Sequence, residues 1–332
     1  MKLRWINFLK GAAMLAVVFD HLYGLVYKNT FVHDLTIYSV TLFIILAGYT
    51  SSMSIGRTKL PYKPYIYKRL AAIIVPYLVA TLIYHLNANK LHFDFNVFKN
   101  QVVMFNASGP FYFILFFIQL IVISPLLYKL FQRRALYQQL AVLFGIYLIS
   151  SYLSHFTSIS NYYGGAGRIL GGSYLFVFCL GIFIQILSAN PPRFINRIFQ
   201  FDIKGLVFGL VTSLFVLIVY FNTHLFENSW ANPPNKSTLI YTLIIASTLF
   251  FIFQIAVKKF ERLSVIFIPV EIIGSNSLYV FLYHSFFIYY GQKLGLMTID
   301  LGKVLLPIFA LLCSVLVGLI ITGSKKKIKL MV

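Results

Sequence analysis

Apolar runs of about 20 residues recur along this 332-residue chain, and they constrain its fold more than any other feature. A helix needs a run of that length to cross the hydrocarbon core of a bilayer. Only 11% of the residues are charged, whereas a soluble globular domain carries roughly 25%. Because so few charges cannot cover a water-facing surface, soluble enzymes and nucleic-acid-binding domains are disfavoured, despite the net charge of +20.

The runs predict an all-α fold with ten membrane-spanning helices. The predicted spans are 8–27, 36–55, 70–88, 109–128, 136–154, 169–188, 205–222, 239–257, 268–290 and 304–322. The first run is too long for the apolar region of a signal peptide and no convincing cleavage site ends it, so we expect an uncleaved span. Neither an internal repeat nor an appended soluble domain is evident. Residues 1–332 are therefore predicted to form one transmembrane domain.

The distribution of basic residues predicts the orientation of these spans. With the N-terminus placed in the cytoplasm, 21 of the 28 lysines and arginines fall in inside segments, each of which holds at least three. No outside loop holds more than two. This alternation follows the positive-inside rule, and it predicts a multi-pass protein of the cell membrane with both termini in the cytoplasm.

Few ionisable side chains lie within the spans, and such residues are candidates for function because they are costly in lipid. The first span carries Lys10 near its inner end, then Asp20 and His21 in its outer half. Eleven residues at about 1.5 Å each separate Lys10 from His21 by about 16 Å along the helix. Lys10 is equally explained as an anchor at the membrane surface, and Asp20 as a structural partner.

The ninth span is the most polar of the ten. Ser277 and His284 are seven residues apart and share one face of the predicted helix, while Glu271 and Ser275 are four apart and share another. Serine and asparagine also join helices in membranes, so a packing role is the simplest alternative. Outside this span, the candidates are Arg69 at the start of span three and Arg168 beside a glycine-rich turn.

A histidine in a cavity poor in water is suited to act as a general base near neutral pH. It can remove the proton of a sugar hydroxyl while that oxygen attacks a thioester, and nearby cations can hold the phosphates of a coenzyme A donor. Proton-coupled transport uses the same residue types. No cluster of cysteine and histidine has metal-ligand spacing, so no metal site is predicted, and Cys179 and Cys313 lie singly in apolar runs.

Short motifs also occur in a definite order along most of the chain. The first motif is a basic residue followed, after ten further positions, by a histidine, and these two residues are Lys10 and His21. The later motifs are Leu42–Tyr49, Lys68-Arg69 leading to Pro76-Tyr77, Gly109–Phe113, Phe178–Gly181, Asn232–Pro234, and Gly274, Ser277, Leu278 and His284. Each motif is weak alone, but the ordered set resembles acyltransferase family 3 of membrane proteins.

The resemblance implies ten helices and the transfer of an acyl group, usually acetyl, from cytoplasmic acyl-CoA to a hydroxyl of a cell-surface or exported polysaccharide. By this match His21 is the key catalytic residue. Our hypothesis is that it acts as the base, with assistance from Asp20 or His284. We expect no extracytoplasmic transferase domain of the kind that some members carry, and therefore expect the chain to act directly or with a separate protein.

The same hypothesis assigns the other candidates to substrates. Under this hypothesis the phosphates of the donor lie near Lys10 and Arg69. The substrates are positioned by Arg168, Tyr279 and Ser277. Its partners are membrane lipid and a glycan acceptor, with no nucleic acid.

Two positions depart from the family pattern. Ala72 lies three residues after Arg69, where a second arginine is common, and Asn7 replaces an acidic residue. Two alternatives stay open at this point. One is a transporter or flippase for a lipid-linked sugar or small anion, with Asp20, His21, Glu271 and His284 as a relay, and the other is a membrane scaffold or sensor without catalytic activity.

Overall fold

The structure is a computed structural model that describes residues 4–58, 60–157, 169–191, 203–222, 234–298 and 300–331. These residues form helices and short connections without a β-strand, apart from an isolated bridge between Tyr23 and Tyr27. The α-helices are α1 (Arg4–Asp20), α2 (Thr30–Asp34), α3 (Tyr38–Arg57), α4 (Tyr62–Ala88), α5 (Phe95–Met104), α6 (Tyr112–Phe131), α7 (Leu136–Thr157), α8 (Tyr174–Ala189), α9 (Ile203–Asn222), α10 (Lys236–Lys259), α11 (Ile268–Ser275), α12 (Ser277–Lys293) and α13 (Asp300–Met331).

The all-α, polytopic class predicted from the sequence is confirmed. Within the described residues, seven helices are long and apolar enough to cross a membrane, and the bent pair α11 and α12 raises this number to eight. Helices α1 and α8 are shorter, with 17 and 16 residues. The count of ten spans, the cytoplasmic position of both termini and the single domain stay predictions.

The chain divides into two compact units. The first unit contains residues 1–39, 76–110 and 262–332, and therefore α1, α2, the second half of α4, α5 and α11 to α13. In this unit α1 packs closely against α11. A Cβ atom placed on Gly11 would lie 1.9 Å from the Val270 carbonyl oxygen, and one on Gly274 would lie 1.8 Å from that of Asn7. Glycine is thus required on both helices, because their backbones are in direct contact.

An ion pair joins the same two helices at the start of α1. The guanidinium of Arg4 donates to both carboxylate oxygens of Glu271, at 2.7 and 3.0 Å. Such a bidentate arrangement fixes the relative rotation of two side chains as well as their distance. The ion pair and the glycine contacts together hold α1 in register with α11.

The predicted ninth span is broken rather than continuous, because α11 and α12 meet at Asn276 with a bend of 82°. The Asn276 side-chain amide donates to the Ile272 carbonyl oxygen at 2.9 Å, and therefore takes an acceptor at the end of α11. Asparagine commonly competes with the helix for backbone partners in this way. The close approach of Gly318 in α13, where an added Cβ would lie 2.6 Å from the Asn276 amide oxygen, supports the break from outside.

A buried histidine joins α4 to α5 in the first unit. The Nδ1 atom of His85 lies 2.9 Å from the Gln101 side-chain oxygen, and its Nε2 accepts the Asp94 amide proton at 3.2 Å. His85 is fully buried, so these bonds satisfy a ring that has no contact with solvent. Its role in the structure is to hold the α4–α5 connection.

The second unit contains residues 40–75 and 111–261, and two glycines bring α3 and α8 together within it. A Cβ on Gly48 would lie 2.0 Å from the Phe178 carbonyl oxygen, and one on Gly181 would lie 2.0 Å from that of Ile45. Ser52 of α3 donates to the Gln185 side chain of α8 at 2.6 Å. Two of the short motifs noted in the sequence are thus the two sides of one helix contact.

Candidate functional site

The end of α1 places a histidine at the edge of the first unit. After Asp20 the chain tightens, because the Leu22 amide bonds to the Phe19 carbonyl rather than to a residue four back. The Tyr27 hydroxyl donates to the same Phe19 oxygen at 2.9 Å. The Phe19 carbonyl at this helix end thus accepts from both the Leu22 amide and the Tyr27 hydroxyl. His21 is thereby the first residue beyond a well-defined helix end.

The hydrogen bond of His21 determines which of its ring nitrogens is available. Nδ1 lies 2.8 Å from the Val17 carbonyl oxygen, one turn earlier in the chain. A carbonyl oxygen only accepts hydrogen bonds, so Nδ1 carries a proton, and in the neutral ring Nε2 keeps its lone pair. The side chain is 35% exposed. His21 therefore keeps Nε2 as an acceptor nitrogen on a side chain that is partly exposed.

His284 lies against His21 and is held differently. The two ring centroids are 4.8 Å apart and the planes meet at 80°, in an edge-to-face contact. Its Nδ1 faces the carbonyl oxygens of Val280 and Phe281 at 3.0 and 2.9 Å, and the Ser285 hydroxyl lies 3.2 Å from Nε2. Fully buried and bonded at both nitrogens, His284 is suited to hold the ring of His21 rather than to exchange protons with a substrate.

Asp20 pairs with a histidine that the sequence interpretation did not select. Its Oδ1 lies 3.0 Å from Nε2 of His33, and the Thr36 hydroxyl donates to the same oxygen at 3.3 Å. The other oxygen, Oδ2, is 3.9 Å from Nδ1 of His21, too far for a hydrogen bond. Asp20 thus lies between two imidazoles, within ion-pair distance of His33, and accepts a hydrogen bond from Thr36.

The position of His33 follows from a short return of the chain. The side chain of Asn29 caps α2 by accepting the Val32 amide proton, and α2 then brings His33 back beside the end of α1. The ring of Tyr23 lies over that of His33, with centroids 4.3 Å apart. One feature of the sequence could have predicted this contact. His33 follows Asp20 by only 13 positions, and so short a connection keeps the two residues close in space.

The inner half of α1 carries the other candidates of the first unit. Lys10 is half-buried, about 16 Å along the helix from His21, and therefore does not share its immediate surroundings. Glu271 lies at the opposite end of α1 from Asp20, because its partner Arg4 precedes Asp20 by 16 residues, or about 24 Å of helix. A contiguous relay that includes Glu271 is not formed by the described side chains.

The remaining predicted site residues are distributed over both units. Tyr279 and Ser277 are buried in the first turn of α12, and Ser277 lies two turns before His284 on the same face. Arg69 belongs to the second unit, where its guanidinium lies 3.4 Å from the buried Ser51 hydroxyl. Arg168 lies outside the described residues. Across the described part of the chain, no group of three or more His, Cys, Asp or Glu side chains is arranged to hold a metal ion.

Comparison with known proteins gives one match. The model of a protein family described as an acyltransferase domain matches residues 3–323, nearly the whole chain. No curated protein matches it, and no solved structure does so either.

Proposed function

The chain belongs to acyltransferase family 3, and from this premise we propose that it is a cell-membrane O-acyltransferase for a polysaccharide. The donor is acetyl-CoA or another acyl-CoA, and the acceptor is a hydroxyl of a cell-surface or exported glycan. That the protein is a multi-pass membrane acyltransferase rests on the family match and on the apolar helices. The donor, the acceptor and the residue roles are our proposal.

The observation that carries the mechanism is the partly exposed side chain of His21, whose Nδ1 is fixed on the Val17 carbonyl so that Nε2 is the acceptor. Nε2 removes the proton of the acceptor hydroxyl while that oxygen forms a bond to the acyl carbon of the thioester. The carbon–sulfur bond then breaks, and the imidazolium returns its proton to the coenzyme A thiolate. General base assistance of this kind contributes about 10²–10⁴-fold to the rate.

The neighbours of His21 act by positioning it. His284 supports one side of the ring, and the His33–Asp20 pair places a carboxylate 3.9 Å from Nδ1, where it favours the imidazolium formed during transfer. We propose that Lys10 and Arg69 interact with the donor phosphates. For Arg168, Tyr279 and Ser277 the proposed role is to position the substrates.

The test is transfer of radiolabel from acetyl-CoA to surface glycan in membrane vesicles, with mass spectrometry of the polymer from intact cells. A His21→Gln variant is expected to insert normally and to lose transfer by 10²-fold or more. The matched control is His92→Gln, which changes an exposed histidine of the same unit and should retain wild-type transfer. Full transfer by His21→Gln would refute the proposed base.

The same assay with purified protein decides whether a separate transferase is required. If the purified chain alone labels isolated glycan, transfer is direct. If labelling occurs only in vesicles from cells that hold all other components, a partner completes the reaction. The role of His21 is then tested in the same vesicles, by measuring hydrolysis of the donor or acylation of the partner.

A further inference from the structure

The connection between α1 and α3 carries two polar side chains that the proposed reaction does not use. The Asp34 carboxylate is 4.0 Å from Nδ1 of His33, too far for a hydrogen bond, and it accepts none from any described residue. The Tyr23 hydroxyl likewise has no hydrogen-bond partner within the described part of the chain. Both side chains reach the surface, since Tyr23 is 39% exposed and the Asp34 side chain is 35% exposed. They can therefore bind a molecule that approaches from solvent.

One imidazole ring holds both side chains in place. The Tyr23 ring lies over that of His33, with centroids 4.3 Å apart and an angle of 31° between the planes. Asp34 follows His33 at the end of α2, a short helix that the Asn29 side chain caps. His33 itself is within ion-pair distance of Asp20, at 3.0 Å. The free groups of Tyr23 and Asp34 are thus fixed around one ring before a ligand arrives, which lowers the entropic cost of binding.

This cluster adjoins the proposed catalytic base. Asp20 has one oxygen 3.0 Å from Nε2 of His33 and the other 3.9 Å from Nδ1 of His21. A molecule held at Tyr23 and Asp34 is therefore a near neighbour of His21. The orientation predicted from the basic residues places the connection outside the membrane, where an exported glycan is accessible. The cluster is thus on the side of the acceptor and not on that of the cytoplasmic donor.

The chemistry of the two free groups suits a sugar. A sugar presents an apolar C–H face and a rim of hydroxyl groups, and tyrosine combines an apolar ring with a polar hydroxyl. A carboxylate only accepts hydrogen bonds, and sugar hydroxyls donate them. Aromatic surface with a few convergent polar groups is the usual lining of a small-molecule site. Tyr23 can thus contact the face and one edge of a sugar ring, while Asp34 accepts from a second hydroxyl.

The charges around these groups disfavour one class of sugar. Among the described side chains, the only charged partners of Asp20 and Asp34 within 4 Å are histidines. Lys28 is exposed in the same connection but lies within 4 Å of no described carboxylate. The carboxylate of a uronic or sialic acid would therefore face two like charges, and no described lysine or arginine is held beside them. A site of this kind rejects acidic sugars by repulsion.

We propose that Tyr23 and Asp34 form the binding site for the acceptor sugar beside His21, and that this site selects a sugar without a carboxylate. The inference rests on the acyl transfer proposed above, and it adds the chemical class of the acceptor and two residues that bind it. Packing on the Tyr23 ring and hydrogen bonding to Asp34 orient the sugar so that a neighbouring hydroxyl meets Nε2 of His21.

The experiment uses oligosaccharides released from the surface glycan of cells that express the protein. Base treatment removes their ester-linked acyl groups, and anion exchange separates those that carry a carboxylate from those that do not. Transfer of radiolabel from acetyl-CoA to each fraction is measured in detergent-solubilised membranes that contain the full-length protein, with kcat and KM determined for acceptor and donor. The wild type is expected to label the fraction without carboxylates about tenfold more efficiently or better.

Tyr23→Phe tests the hydroxyl, because it keeps the ring against His33. It should raise KM for the acceptor about threefold, with little change in kcat or in KM for acetyl-CoA. The matched control is Thr30→Val, which removes another exposed hydroxyl at the opposite end of α2 from Asp34 and should keep the wild-type KM. An equal rise of KM in both variants would contradict a specific role of Tyr23.

Asp34→Asn tests the selection between sugars. It should raise KM for the fraction without carboxylates about fivefold, because a charged acceptor is lost, and it should increase labelling of the acidic fraction, because one repulsive charge is removed. A residue that only supports the fold would lower both activities equally. Preferential labelling of the acidic fraction by the wild type, or an unchanged preference in Asp34→Asn, would overturn the proposal.

Binding without catalysis separates this inference from the proposed function. Purified His21→Gln protein is mixed with the fraction without carboxylates, and saturation-transfer NMR measures binding, which should be about threefold weaker when Tyr23→Phe is added. If the sugar binds in this way but the wild type transfers nothing, acyl transfer is refuted and the binding site stands. If transfer is normal while neither Tyr23→Phe nor Asp34→Asn changes KM for the acceptor, transfer stands and the binding site is refuted.

Discussion

The contact between α1 and α11 offers the most direct test of the geometry around His21, through the variant Gly274→Ala. The added Cβ would lie 1.8 Å from the Asn7 carbonyl oxygen and 2.7 Å from the Gly11 nitrogen. Ordinary contact requires about 3.4 Å, so the two helices must separate by roughly 1.5 Å. Both sides of the contact are backbone, and no change of side-chain rotamer can relieve it.

The magnitude follows from two opposing effects. Overpacking that moves a backbone costs up to about 3 kcal/mol, while alanine is favoured over glycine within a helix by about 1 kcal/mol. We expect a net loss of about 2 kcal/mol in stability. Because α1 carries His21 and α11 leads into the helix of His284, a displacement of this size should also lower acyl transfer by about 10²-fold.

The assay is thermal unfolding of the detergent-purified protein, together with acetyl transfer in vesicles. The matched control is Gly145→Ala in α7, where an added Cβ would meet nothing within 4 Å, so that the unfolding temperature should rise and transfer should stay at its wild-type level. Wild-type stability and transfer in Gly274→Ala would refute the backbone contact of α1 with α11. An equal loss of stability in both variants would do the same.

Three further variants test single contacts. Arg4→Ala should lower stability by about 1 kcal/mol or less, since the Arg4 side chain is 41% exposed. A double-mutant cycle with Glu271→Ala should assign that loss to the ion pair. Additive effects of the two substitutions would contradict this assignment. His33→Asn should lower kcat of transfer about tenfold with little change in KM, because Asp20 loses the imidazole within ion-pair distance of it. An unchanged kcat would remove His33 from the site. His85→Leu should lower stability by about 1–2 kcal/mol in thermal unfolding, since two hydrogen bonds are lost while Asp94 and Gln101 stay open to solvent. Transfer by the folded fraction should be retained.

The sequence predicted the parts of the fold that depend on local pattern. Runs of apolar residues predicted helices, and the all-α class is confirmed. The ordered motifs predicted the family, which is also confirmed. Some of these motifs have a physical explanation in the structure, since Gly48 and Gly181 are the positions where α3 and α8 come into backbone contact.

The break at Asn276 was not predicted, because hydropathy is continuous across it. A run of apolar residues with a few serines predicts a straight span as readily as a bent one. The bend depends on a side chain that competes for a backbone acceptor and on the approach of Gly318 from α13. The second cause is a tertiary contact 42 positions away, which a local pattern does not contain.

In the candidate site, too, the sequence predicted single residues but not the contacts between them. His21 was selected because a histidine in a span is conspicuous, but the partner of Asp20 was not, because His33 lies in a polar connection where a histidine is ordinary. Glu271 was grouped with Asp20 as a possible relay residue, yet its partner is Arg4, 267 positions earlier in the chain. Which polar residues meet is decided by helix packing, and spacing along one helix leaves it open.

The hydrogen bonds at the four candidate relay residues also bear on the choice between a transferase and a transporter. Glu271 is held by Arg4, Asp20 by His33 and Thr36, and His284 at both ring nitrogens. A relay requires groups that can each exchange a proton with the next, and Glu271 lies about 24 Å along α1 from Asp20. Of these four side chains, His21 alone combines an exposed ring with an acceptor nitrogen that no other described group occupies. One accessible base supported by fixed neighbours is what general base catalysis needs, and a chain of exchangeable groups is not present among these residues.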